Sequence, residues 1–175
     1  MSPTIASEYL QTANRWFSYY KNLAEQTFDQ LSDGDLHFIP NEESNSIAVI
    51  IQHMSGNMMS RWTNFLTEDG EKEWRTRDEE FEIHQYSKVE LLEIWHRGWN
   101  CFFDALHSLQ EDDLMKTIYI RKEALSVVDA INRQLCHYPH HVGQIVYLGK
   151  IIRGKEWKNL SIKKKPSPEN PNRTA

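Results

Sequence analysis

The sequence predicts an all-α protein folded as a four-helix bundle, and three observations carry that prediction. Apolar residues recur at helical spacing through four long stretches. Residues suited to helix caps stand at the ends of those stretches. Glycine and proline are scarce, at 7 and 6 in 175 residues, and Pro3, Pro166, Pro168 and Pro171 lie near the termini. Such a composition favours long helices over a turn-rich β architecture.

The first stretch runs from about Thr4 to Leu31, with Leu10, Ala13, Trp16, Phe17, Tyr20, Leu23, Ala24, Phe28 and Leu31 in register. Ser32-Asp33-Gly34-Asp35 is expected to stop it, with Gly34 as the C-terminal cap. An irregular segment through Pro40 leads to Asn45-Ser46, an N-cap for a second helix from Ile47 to about Leu66. Its apolar face is Ile47, Ile50, Met54, Met58, Trp62 and Phe65, and a polar stripe carries His53, Asn57, Ser60 and Asn64.

Asp69-Gly70 opens a charged connection reaching about Glu80. Connections of that length are often functional and often merely solvated. Ser87 caps a third helix running to about Leu109, with Val89, Leu92, Trp95, Trp99, Phe102, Phe103 and Leu106 as its expected inner face. Met115 to Arg121 alternates apolar and polar side chains, which suggests a short strand or extended link.

The fourth helix is expected from about Ser126 to Arg153, stopping at Gly154. Pro139 falls inside it and lacks a backbone donor, so it should bend or break the helix at a cost of ~3 kcal/mol if unrelieved. Beyond Trp157 the chain becomes basic and proline-rich. The expected organisation is one domain over residues 1–157 and a mobile tail over 158–175.

Hydrophobic residues at 39% and charged residues at 26% describe an ordinary globular chain. A formal net charge of −5 speaks against nucleic acid as a partner, because phosphate contacts need a basic footprint. No apolar run approaches the ~20 residues of a membrane span and no secretion signal is evident, so no membrane partner is expected. The two cysteines, Cys101 and Cys136, fit a reducing, cytoplasmic setting better than a disulfide framework.

The chemistry concentrates in histidine. His137 and His141 are spaced i, i+4, about 40° apart on one helical face, so both imidazoles can reach one ion. A third imidazole from another helix would complete a site with an open coordination position, and His53 is the candidate. His137, His141 and Gln144 share a stripe with Arg133 and Gln134, offset from the apolar face much as His53 is on the second helix. Periodicity alone leaves the alternative that both stripes are solvated faces. Cys136 and His140 form a rival i, i+4 pair, whereas His37, His84, His96 and His107 read as ordinary surface or loop residues.

Several segments resemble the DinB-like (DinB/YfiT-like) superfamily of metalloenzymes, within it a small bacterial branch of unknown function. They are Ser44-Asn45-Ser46-Ile47-Ala48, Gln52-His53-Met54-Ser55-Gly56-Asn57-Met58, Ser60-Arg61-Trp62 and Phe65-Leu66-Thr67. Asp69-Gly70-Glu71-Lys72, Trp74-Arg75, Arg77-Asp78 and Glu80-Phe81 continue the likeness, and His137-x-x-x-His141-x-Gly143-Gln144-Ile145 resembles the superfamily's closing motif. The resemblance spans roughly Thr4 to Trp157. It implies an up-down-down-up bundle holding one divalent ion through His53, His137 and His141, and a homodimer. It also implies thiol-dependent S-transferase, isomerase or hydrolase chemistry. Val142 departs from the arginine that often follows the last histidine in that motif.

Three imidazoles suit zinc, nickel, iron or manganese. Asn57, Arg61 and Gln144 are the expected second shell or substrate-cleft residues, with surface solvation the favoured reading for Arg61. Trp74 is expected either to cover the cleft mouth or to anchor its loop to the core. No general base is evident beside the triad, which favours transfer of a low-molecular-weight thiol to a small electrophile over hydrolysis. The competing class is a non-catalytic metal-binding or dimeric stress-response protein. DNA binding is suggested only by the superfamily's name, and the acidic balance opposes it.

Overall fold

Each long helix begins where a short polar side chain can satisfy the free amides of its first turn. The computed structural model describes residues 2–160. Helix α1 (Ile5–Phe28) starts from a reciprocal pair: Ser7 N–H donates to Thr4 Oγ1 at 3.0 Å, and Thr4 N–H donates to Ser7 Oγ at 3.0 Å. It ends earlier than expected, and Gly34 does not cap it. Ser32 and Asp35 form a second capping box that starts a short helix α2 (Asp33–Leu36), so Gly34 lies inside that turn. Two local capping bonds outweigh the weak stop signal of an isolated glycine.

Helix α3 (Ile47–Trp62) is capped by Ser46, whose Oγ accepts from Val49 N–H at 3.2 Å. It stops four residues short of Leu66, because Thr63 turns extended (ψ 120°) and Asn64 takes a left-handed φ of 49°. A long connection then carries a 3-10 turn at Arg77–Phe81.

Helix α4 (Lys88–Ser108) begins with the Ser87–Glu90 box. Lys88 Nζ donates to the Phe28 and Leu31 carbonyls at 2.7 and 2.8 Å, placing a cation where α1 leaves acceptors unfilled. Its inner face is Leu91, Trp95, Gly98, Trp99, Phe102 and Leu106. Val89 is not part of it. At 66% exposure it points outward, one position off the stripe that Leu91 and Trp95 define.

The expected strand is present and has a partner. Strands β1 (Thr117–Ile120) and β2 (Glu123–Ser126) pair antiparallel, with Ile120 opposite Glu123. Arg121 and Lys122 turn the hairpin at φ 55° and 65°, a primed geometry that usually takes Asn-Gly. The Asp69 carboxylate holds it by accepting from Arg121 N–H at 2.9 Å and Lys122 N–H at 2.8 Å.

Helix α5 (Val127–Arg153) passes Pro139 unbroken and ends at Gly154, φ 52°. Proline there withholds one amide, the one Leu135's carbonyl would otherwise accept from. The cost is not enough to break a helix buried along one side by Ile131, Tyr138, Val142 and Ile145.

The core joins these helices through aromatic rings. Phe17, Trp95, Trp99, Phe102 and Tyr138 are fully buried, with Phe17 and Phe102 centroids 4.5 Å apart and Phe102 and Tyr138 5.6 Å apart. Close approach is set by small residues. A Cβ on Gly98 of α4 would lie 2.8 Å from Ser55 Cα of α3, and Ser55 Oγ donates to the Ile94 carbonyl at 2.8 Å. A Cβ on Gly149 of α5 would meet Thr27 of α1 at 2.6 Å, while at the other end of the same pair Tyr9 Oη donates to the Val128 carbonyl at 3.2 Å. No described helix is long and apolar enough to cross a membrane. The chain stays fastened as far as Lys158, whose amide donates to Gln30 Oε1 at 2.8 Å. Residues 161–175 of the expected tail lie outside the described residues.

Candidate metal centre

Histidines 53, 137 and 141 meet between α3 and α5. One ring nitrogen from each lies within 4.8 Å of the others, and this group can hold a metal ion. His141 Nε2 is 3.0 Å from His137 Nε2, which is 3.4 Å from His53 Nε2. Two nitrogens bound at ~2.0–2.1 Å to a tetrahedral ion stand ~3.3–3.4 Å apart, so the spacing suits a shared cation.

The outward nitrogens explain which atoms face inward. His53 Nδ1 donates to Glu80 Oε2 at 3.0 Å. His137 Nδ1 faces Gln134 Oε1 at 3.3 Å, and His141 Nδ1 faces Gln144 Oε1 at 2.8 Å. An ionised carboxylate only accepts, so Glu80 fixes the Nδ1–H tautomer of His53, and the two amide oxygens select the same tautomer in the others. With all three protons turned outward, three Nε2 lone pairs converge with no hydrogen between them. Neutral acceptors packed this way repel unless a cation joins them, and oriented imidazoles with outer acceptors are the usual dress of a metal site.

Burial reinforces the neutral form. It pulls His137 down to about 3, with His141 and His53 adding to the effect. It also lowers His141, against the opposing bond to Gln144. Both rings are therefore uncharged at neutral pH, with Nε2 unprotonated as a ligand atom must be.

Glu80 was not singled out from the sequence, because a loop carboxylate in a charged run carries no periodic signal. Its setting in the structure is specific. Arg75 grips it with two bonds, Nε to Oε1 at 2.7 Å and Nη2 to Oε2 at 2.8 Å, and the side chains are only 3% and 10% exposed. Burial pushes the Glu80 carboxyl up, but bonds from His53 and Arg75 outweigh it and hold the group below the usual range. Gly56 makes the room, since a Cβ there would lie 2.1 Å from Glu80 Oε1. Phe81 lies over His53, centroids 4.9 Å apart, and shields one ring face. Gln134 had a legible counterpart: it stands three residues before His137, as Gln144 stands three after His141.

The remaining expected residues fall as follows. Gln144 orients His141 and also lines a 430 Å³ hollow with Ile50, Tyr147 and Leu148. Asn57 is buried and accepts from Tyr138 Oη at 3.3 Å. Arg61, for which solvation was favoured, is instead buried at 6% exposure. The 69–72 segment covers it: Arg61 donates to the Gly70 carbonyl and pairs with Glu71 Oε2 at 2.9 Å. The polar stripe of α3 is thus no solvated face over His53, Asn57 and Ser60, though Asn64 is exposed. Trp74 is 58% exposed and does not anchor in the core; it lines a 490 Å³ cleft with Arg75, Glu80 and Tyr86. His37, His96 and His107 bond to Tyr86, Glu25 and Asn14, and Cys136 and His140 lie outside the three-histidine group.

Fold and site together define a mostly helical protein with three histidines positioned to hold a metal ion. Residues 4–166 match the family described as "Protein of unknown function (DUF1572)", and the chain belongs to that family. Among solved structures it is similar to a conserved protein from Enterococcus faecalis, at 16% identity and a TM-score of 0.62. That match covers 88% of this chain and 100% of the other, and it speaks for the fold alone. No curated protein matches the chain.

Proposed function

We propose that this protein is a DinB-like metalloenzyme that holds one divalent ion through His53, His137 and His141 and acts on a small substrate. The single observation that carries the reading is the convergence of three Nε2 lone pairs whose Nδ1 protons are all engaged elsewhere. The superfamily's up-down-down-up bundle is supported by contacts along the helices. Tyr9–Val128 and Thr27–Gly149 run α1 alongside α5 in one direction, and Ser55–Ile94 and Thr63–Cys101 do the same for α3 and α4. Asn57 and Trp62 both reach Tyr138 while Ile50 lines the hollow with Gln144 and Leu148, which sets α3 against α5 in opposite senses.

The ion, one of zinc, nickel, iron or manganese, would supply Lewis acidity that brings a thiol or a water to its nucleophilic form near neutral pH. Glu80 keeps the proton on His53 Nδ1 and Gln144 does the same for His141, so both Nε2 atoms stay available. Glu80 is itself tied to Arg75 through both oxygens and is no free base. That commitment favours a thiol-dependent S-transferase over a hydrolase. We further propose a cytoplasmic homodimer, consistent with two free cysteines.

Elemental analysis of the purified protein, followed by a screen of low-molecular-weight thiols against small electrophiles with the metal restored, tests the proposal. Stoichiometric metal and thiol transfer that both vanish in His141→Ala support it. A protein that takes up no divalent metal overturns it. Metal binding without turnover favours the non-catalytic alternative.

A further inference from the structure

The carboxylate that orients His53 does not belong to the helices that carry the ligands. Glu80 sits in the connection between α3 and α4, in the 3-10 turn Arg77–Phe81. Arg75, its partner, precedes that turn, and its Nη1 lies 4.0 Å from Glu71 Oε1. Glu71 in turn bonds Arg61 of α3 and Arg121 of the β1–β2 turn, each at 2.9 Å. A chain of charges, buried at the His53 end and increasingly exposed toward the hairpin, thus runs from His53 through Glu80, Arg75 and Glu71 to Arg121. Residues of the same connection, Trp74, Arg75, Thr76, Glu79 and Glu80, form a wall of the 490 Å³ cleft opposite Ser55, Gly56 and Met59.

We propose that Arg75 and Glu80 are positioning residues of the metal centre, and that through them metal affinity and the order of the 70–81 segment are reciprocally coupled. The inference rests on the three-histidine metal site proposed above. A cation on Nε2 draws electron density from the ring and makes Nδ1–H a stronger donor, so the bond to Glu80 tightens when metal is present. Glu80 is anchored by two bonds to Arg75, and the tighter bond therefore stabilises the segment that both residues belong to. Linkage requires the converse: whatever orders the segment, including a molecule seated in the cleft, raises the affinity for metal. Gly56 belongs to the same device, because the three atoms nearest a Cβ built there all belong to the Glu80 side chain.

The test uses the full chain, with zinc as the probe, and reads zinc affinity by chelator competition and amide hydrogen exchange over residues 70–81. In wild-type protein zinc slows exchange across the segment, and in His137→Ala it does not. Glu80→Gln and Arg75→Lys weaken zinc binding about 10–100-fold, and at saturating zinc their segment exchanges faster than wild type. Gly56→Ala keeps every charge and favours helix, so it remains informative where the buried-charge variants fail to fold. It displaces the Glu80 carboxylate and weakens zinc binding to a similar degree. Wild-type protein that binds zinc with no change in segment exchange overturns the coupling while leaving the metal site standing. Wild-type protein that binds no zinc, nickel, iron(II) or manganese removes the site and the coupling together. Unchanged zinc affinity in Gly56→Ala and Glu80→Gln reduces both residues to a structural role and also overturns the proposal.

Discussion

Trp62 Nε1 donates to Tyr138 Oη at 3.0 Å, and this buried bond joins α3 to α5 beside the metal centre. The Tyr138 hydroxyl in turn donates to Asn57 Oδ1 at 3.3 Å, and Tyr138 is the neighbour of His137. The pair fixes how far α5 slides along α3, which decides whether His53 meets His137 and His141. Tyr138→Phe leaves the Trp62 N–H unpaired in the core and should cost about 1–3 kcal/mol. Chemical denaturation of the variant checks the value, and its zinc affinity should fall modestly as the register loosens.

Removing a ligand should separate metal binding from folding. At zinc concentrations one hundred times its Kd, wild-type protein gains about 2.7 kcal/mol of stability by mass action, and its Tm rises accordingly. His137→Ala should show no zinc-dependent rise in Tm. Without zinc, its Tm should match or exceed that of wild type, because three crowded lone pairs become two.

The depressed His137 sets a pH dependence in metal-free protein. Burial lowers its folded value from 6.5 to about 3, so between those limits the unfolded chain binds the extra proton. The contribution of a neutral His137 is complete above pH 6.5 and declines as pH falls toward 3. Urea midpoints measured in a chelator across that window should decline with acidity, and less steeply in His137→Gln.

Arg61 is a stability residue whose loss should reach the metal only through the 70–81 segment. Its guanidinium is buried against the Gly70 carbonyl and Glu71. Arg61→Ala should cost about 1–3 kcal/mol, since the Gly70 carbonyl keeps only Ser60 Oγ and Glu71 loses the more buried of its two close cation partners. Zinc affinity should also fall, by less than in Glu80→Gln, because Arg61 touches none of the three histidines but holds Gly70 and Glu71 of the coupled segment. Denaturation and chelator competition on the same preparation check both halves.

The helices and part of the three-histidine cluster were legible because local rules govern them. Ser46, Ser87 and Ser126 begin helices by capping, Gly154 ends one with a positive φ, and His137 and His141 share a face by spacing alone. Elements decided by tertiary contact were not legible. Arg61 and Ser60 read as solvated until the 69–72 segment folded over them, as when Ser60 Oγ donates to the Gly70 carbonyl at 2.8 Å. Glu80 lies 27 residues from His53 in a run of surface-type charges, and only the closure of that connection makes it an outer partner of the site. Gly34 misled for the opposite reason: a capping box between Ser32 and Asp35, which flank it, overrode the glycine.

The contact of Gly98 with Ser55 has a consequence for how this protein can vary. Two rods touching backbone to side chain leave no slack for a methyl group, so enlarging position 98 forces α4 outward and drags or tilts α3 with it. His53 rides on α3 about half a turn from Ser55, while its two partners ride on α5. A change on a helix that carries none of the three histidines would thereby be felt as a widened gap among imidazoles.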